Sequence, residues 1–199
     1  MNMKALSAIT LYLLGLMALP SASCAESGKP ESYNLLLLGY GSSHPGWGDT
    51  TERVETVDVV FRHCRPFFER DTGWILGKHE FWIELPVSFI VSDSDSSDSR
   101  DIGFFGADFL FAWIFPETPI GEPYFMIGGG PVYVAADIDG VGSDLCGNYQ
   151  AGGGMRLNLI ENHPINLEAR YHHISNLGMA TPNVPLNSTK FFLGFNLPF

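Results

Sequence analysis

The stretch STKFFLGFNLPF, residues 188–199, admits few folds. Phe191, Leu193, Phe195, Leu197 and Phe199 fall on every second position, with Lys190, Phe192, Gly194, Asn196 and Pro198 between them. A side-chain period of two belongs to a β-strand with two unlike faces. The same period runs through 148–159, where Tyr149, Ala151, Gly153, Met155, Leu157 and Leu159 alternate with Asn148, Gln150, Gly152, Gly154, Arg156 and Asn158. In 164–176 it sets Glu168, Arg170 and His172 against Leu167, Ala169, Tyr171 and His173. Turn residues bound these segments, and no segment carries a helical stripe over three turns. The spacing predicts strands at about 33–42, 53–63, 80–92, 102–115, 122–136, 148–159, 164–176 and 188–199.

Such alternation suits either a soluble sandwich or barrel with its apolar face inward, or an outer-membrane barrel with that face on lipid. Three features favour the second. Residues 1–25 read as a secretory signal peptide: Lys4 opens it, LSAITLYLLGLMAL is its apolar run, and PSASCA offers cleavage after Ala25. A lipoprotein signal ending at Cys24 is the weaker alternative, because Ser21 stands where a large aliphatic residue is usual. Aromatic residues make up 13% of the chain and gather near strand ends, as an interfacial girdle requires. The chain ends on a strand whose final residue is Phe199, which resembles the signal read by the barrel-assembly machinery.

The expected fold is therefore all-β, an eight-stranded antiparallel outer-membrane β-barrel formed by residues 26–199. Its interior is filled by side chains and is not a diffusion channel. With the N-terminus in the periplasm, the connections SHPGWGDTTE, SDSDSSDSRD, DIDGVGSDLCG and LGMATPNVPLN face outward, and the shorter PETPIG and IENH face the periplasm. The stretch from Cys64 to His79 is long for a periplasmic turn, as if the flanking strands continued into it. Cys64 and Cys146 fall at opposite rims, too far apart to bond. The net charge of −11 excludes a nucleic-acid partner, which needs a basic footprint.

Chemistry concentrates in YHHISNLG, residues 171–178. On a strand, His173 and Ser175 share a face. A neutral imidazole beside a hydroxyl is a general base beside a nucleophile, which points to ester hydrolysis or acyl transfer. A site on the lipid-facing side implies a lipid substrate. Equally, the pair reads as two wet polar residues at a strand end.

Residues 168–199 resemble the C-terminal end of the lipid A 3-O-deacylase (PagL) family. The resemblance lies in an Arg-Tyr-x-His-x-Ser-Asn segment, then a glycine, then Pro-Asn, then a last strand ending in Phe. It implies that Ser175 is the nucleophile, His173 the base, and Asn176 and Gly178 the oxyanion hole. It implies lipid A of the lipopolysaccharide as substrate, the outer membrane and its lipids as surroundings, and no cofactor or metal. The family's acid, which orients the histidine, falls on Asn187, and no Asp or Glu follows Glu168. An amide oxygen holds an imidazole tautomer without supplying charge. A carboxylate restored at position 187 is therefore expected to raise the rate. The alternative is a non-enzymatic structural or adhesin-like barrel that has lost its acid.

Other motifs carry less. Asp93, Asp95, Asp98 and Asp101 read as a solvated loop rather than a cation site. DIDG at 137–140 lacks the closing Glu of a calcium loop. GYGSSHPG precedes no helix and is no dinucleotide fingerprint. The GGG runs at 128–130 and 152–154 let strands bend and approach. Glu168, Arg170 and His172 are expected to form a buried lumenal network.

Overall fold

A computed structural model describes residues 31–70, 76–93, 102–159 and 164–198, with the side chains of Arg70 and Asp93 left out of the description. Residues 1–25, expected to be a signal peptide, lie outside the described residues, as do Asp95, Asp98, Asp101, the IENH stretch, Phe199 and the side chain of Asp93.

The strands are β1 (Tyr33–Ser43), β2 (Val54–Arg70), β3 (Gly77–Asp93), β4 (Ile102–Gly106), β5 (Asp108–Ile114), β6 (Glu122–Val134), β7 (Leu145–Leu157), β8 (Ile165–Ser175) and β9 (Leu186–Leu197). Each pairs antiparallel with its neighbour, and β9 pairs with β1 from Asn34↔Leu197 to Ser43↔Ser188. That last ladder closes the sheet and removes its edges. β4 and β5 both lie between β3 and β6, so together they are one staff of an eight-membered ring.

The sequence predicts a single strand over 102–115; the structure breaks it at Ala107. Glycines of the neighbouring strand lie close against it. A Cβ on Gly130 would stand 1.9 Å from the Ala107 carbonyl oxygen, and one on Gly128 would stand 2.1 Å from that of Phe109. The glycine run thus admits a backbone approach that no other residue permits, while the register with β6 runs on unchanged from Gly106↔Val132 to Phe109↔Gly129. β2 and β3 continue well past the predicted ends, to Arg70 and from Gly77, which accounts for the long stretch between Cys64 and His79. Their pairing slips between Pro66 and Phe68, where proline has no N–H to offer.

Alternation sorts the two faces. Phe191, Leu193 and Phe195 point outward and are exposed, in company with Leu38, Phe81, Phe109, Phe111, Phe125, Ile127 and Leu167. Inside, an apolar layer built on Leu35, Leu37, Trp82, Leu110, Ile114 and Met126 fills the end nearest the N-terminus. A second layer, with Val54, Ile90, Phe104, Val132, Ile174 and Leu186, fills the opposite end. Cys64 lies in the first layer and Cys146 in the second, both as free thiols. Cys146 is the second residue of β7 rather than part of a loop.

Between the layers lies a ring of charge. Arg62 bonds Glu168 at 2.6 Å and Glu84 at 2.6 Å, while Arg170 bonds Glu84 at 2.7 Å and Glu168 at 2.5 Å. Tyr124 donates to Glu168 at 2.8 Å. The guanidinium of Arg62 stacks on Trp82 at 3.8 Å and that of Arg170 on Phe192 at 4.3 Å. Opposite charges thus match inside a medium that isolated charges cannot enter. Lys190 pairs with Asp58 at 2.7 Å beside them. His172 also points inward and is buried, yet its Nδ1 has no partner among the described residues, so it stands outside the ion-pair ring.

Candidate active site

β8 delivers the site by the same alternation that delivers the ring. Glu168, Arg170 and His172 face in; Tyr171, His173 and Ser175 face out, at the end of the barrel that carries the longer connections. In the ladders, Tyr149 and Asn187 flank His173 from either side. Gly147 stands opposite Ser175 and brings no side chain of its own.

The imidazole of His173 bridges two partners. Its Nε2 lies 3.1 Å from Ser175 Oγ, and its Nδ1 lies 2.7 Å from Asn187 Oδ1. Tyr149 stacks on the ring at 4.3 Å between centroids and 21° between planes, which limits ring rotation. His173 and Ser175 are half-buried, so the hydroxyl is reachable from outside.

The orientation of Asn187 follows from its other bonds. Its Nδ2 donates to the Trp47 carbonyl at 2.8 Å and to Thr50 Oγ1 at 2.8 Å. A carbonyl oxygen only accepts, so the nitrogen end of the amide must face it. The oxygen end then faces His173 and also accepts from the Tyr171 hydroxyl. It follows that Nδ1 carries the proton and Nε2 presents its lone pair to Ser175, the tautomer a general base needs. Asn187 sits on the outer face of β9 yet is buried, because the β1–β2 loop folds over it. Trp47 and Thr50 were not legible as site residues: they lie in a loop 140 and 137 positions away, and no motif links them to the histidine.

The loop after β8 is built by Asn176. Asn176 to Met179 form a tight turn, with Met179 N–H on the Asn176 carbonyl at 3.0 Å and positive φ at Leu177 (56°) and Gly178 (77°). Two successive positive φ values make a type I′ turn, which explains a glycine at the second of them. The Asn176 amide is fully buried and donates to the carbonyls of Val141, Ala180 and Pro182 at 2.8, 3.1 and 2.8 Å. Its Oδ1 accepts the Gly178 N–H at 3.0 Å, and its own N–H donates to Asn183 Oδ1 at 2.9 Å. Both residues expected to receive an oxyanion are therefore bonded within the turn. Asn183 is exposed, with its oxygen end tied to that turn. DIDG proves to be scaffold: the Gly140 carbonyl accepts the Val184 N–H at 2.8 Å, which pins this loop from the β6–β7 side.

The family model for lipid A 3-O-deacylase (PagL) matches residues 68–196. The chain belongs to the lipid A 3-O-deacylase family. Its fold is that of a solved structure described as the outer membrane enzyme PagL, at 15% identity and a TM-score of 0.56, covering 83% of this chain and 99% of that one. The barrel is thus of the outer-membrane type, and its exposed aromatic and aliphatic residues form the lipid-facing belt of this deacylase fold. Among curated proteins none matches.

Proposed function

We propose that this protein hydrolyses the 3-O-linked acyl ester of lipid A at a Ser-His-Asn site on the barrel exterior. The observation that carries the reading is the single imidazole shared between Ser175 Oγ and Asn187 Oδ1. Ser175 Oγ attacks the ester carbonyl as its proton passes to His173 Nε2. The imidazolium is held through Nδ1–H by the Asn187 oxygen. As the tetrahedral intermediate collapses, Nε2–H returns the proton to the sugar oxygen that leaves. Water then attacks the acyl-serine by the same route and frees the fatty acid.

The developing oxyanion needs a donor, which contributes about 3 kcal/mol when well placed. With the Asn176 side chain spent on three carbonyls, that donor is assigned to Asn183 Nδ2, the end of its amide left over once Oδ1 is tied to Asn176. Gly178 N–H joins it only by releasing Asn176 Oδ1. The enzyme acts in the outer membrane after loss of residues 1–25 and insertion by the barrel-assembly machinery, which reads the terminal strand. Its partners are lipopolysaccharide and the surrounding lipids.

One observation favours a non-enzymatic barrel: among the described residues no carboxylate bonds His173. Mass spectrometry of lipid A separates the two. Cells expressing the protein should lose one ester-linked acyl chain from lipid A, and cells expressing Ser175→Ala should not. Identical lipid A in both would leave the barrel without this activity.

A further inference from the structure

Resting on the reading of His173 as base, we infer that Thr50, with the Trp47 carbonyl, forms an amide-selective cradle, and that Thr50 is a positioning residue for the catalytic tautomer. The cradle is polar in one direction. One side holds acceptors, the Trp47 carbonyl and Thr50 Oγ1, each 2.8 Å from Asn187 Nδ2. The other side holds donors, Tyr171 O–H and His173 Nδ1–H, both on Asn187 Oδ1. Thr50 Oγ1 also takes the Asn187 backbone N–H at 3.0 Å, so both of its lone pairs are filled by donors from one residue.

The loop itself is set to make those contacts. Thr50 N–H donates to the Trp47 carbonyl at 3.2 Å, and Gly46 N–H donates to the Thr50 carbonyl at 2.9 Å. Thr50 is buried, so no solvent replaces its oxygen. A flipped amide sets its oxygen against the Trp47 carbonyl, which only accepts, deprives Thr50 Oγ1 of the donor it holds, and turns a nitrogen towards His173 Nδ1. Nδ1 then becomes the acceptor, the proton moves to Nε2, and the base has nothing to take a proton with. The loop from β1 to β2 thereby sets the state of a histidine on β8. The same cradle disfavours a carboxylate at position 187, since neither of its oxygens donates to the Trp47 carbonyl.

The test is the imidazole ¹⁵N spectrum of the detergent-solubilised protein, with His173 assigned by comparison with His173→Gln. The unmodified protein and Thr50→Ser should both show the proton on Nδ1. Thr50→Val should raise the population protonated on Nε2. A spectrum of Thr50→Val identical to that of the unmodified protein overturns the inference. Thr50→Ala removes the same oxygen and repeats the measurement should Thr50→Val fail to assemble. On lipid A micelles, kcat should fall with the fraction left competent, about tenfold if a tenth remains, with KM unchanged. If the unmodified protein is no more active than Ser175→Ala, the deacylase reading falls, and the tautomer still decides the cradle.

Discussion

Two polar clusters share β8, one on each face, and they are built on opposite principles. Inside, Glu168 and Arg170 close a ring with Arg62 and Glu84 in which full charges meet full charges and nothing reaches solvent. Outside, His173 and Ser175 are half-exposed, and their partner Asn187 is a neutral amide. The inner cluster answers a demand of burial: polar atoms in a low dielectric need complete pairing. The outer cluster leaves one hydroxyl open, that of Ser175. Neighbouring residues of one strand thus do unrelated work, and the pleat separates them.

The largest expected effect breaks the outer cluster alone. Ser175→Ala should abolish deacylation while the protein still migrates as a folded barrel on an unheated gel, because a rim hydroxyl supports no core. Residual activity at the unmodified level would remove Ser175 from the mechanism.

The inner cluster should respond the other way. Glu168→Ala leaves Arg62 and Arg170 each without one of two carboxylates, and breaking a buried pair costs about 3–5 kcal/mol. A lowered urea midpoint for unfolding is expected, with kcat/KM of the molecules that remain folded unchanged. A normal midpoint would mean that water enters the ring and screens it.

Asn187→Asp tests whether the outer cluster lacks charge or is adapted to do without it. From sequence, a carboxylate behind His173 is expected to speed the reaction. In the structure the same change takes the donor from the Trp47 carbonyl, which only accepts, while the Thr50 hydroxyl turns to donate to the new carboxylate. The expected result is a fall in kcat of about tenfold, the scale of one lost hydrogen bond. A rise in kcat would show that charge outweighs the cradle.

How far sequence reaches into this molecule follows the range of each determinant. The strands and their faces were legible because alternation is local: Phe191, Leu193 and Phe195 outward, Glu168 and Arg170 inward. So was the His173–Ser175 pair, two positions apart on one face. The break at Ala107 was not, since nothing within 102–115 marks it, and the close backbone approach there involves Gly128 and Gly130 of another strand. Nor was the true occupation of Asn176, whose partners Val141 and Pro182 meet only when the β6–β7 and β8–β9 loops converge. The Thr50 and Trp47 contacts depend on the closure of β9 on β1, the longest-range pairing in the barrel. His172 marks the limit of pattern alone: its inward, buried position was legible, the lack of a partner for its Nδ1 among the described residues was not.

The adjacent histidines sharpen the contrast. His173→Gln should reduce deacylation to the level of Ser175→Ala. His172→Gln should leave kcat within about twofold, since the buried ring touches neither Ser175 nor Asn187 and its Nδ1 has no partner to lose. A matching loss in both variants would mean that the inner and outer faces of β8 are coupled.

The smallest expected effect concerns the thiols, and it checks the axis along which inner and outer clusters are arranged. Cys64 belongs to the apolar layer at the N-terminal end and Cys146 to the layer at the end bearing the candidate site, with the charge ring between them. A disulfide requires Cα atoms within about 7 Å, and the two layers do not permit that. Gels run with and without reductant should therefore show one mobility for the unmodified protein, for C64S and for C146S. Serine in place of either buried thiol exchanges a weak hydrogen-bonding group for a stronger one of similar size. Cys64 packs among apolar side chains, whereas Cys146 already donates to the Ser143 carbonyl at 3.3 Å. C64S should consequently lower the unfolding midpoint slightly and C146S less, while neither changes the rate at Ser175. A reductant-dependent shift in the unmodified protein alone would place both cysteines at one rim, and would reverse the strand directions on which the separation of the two clusters rests.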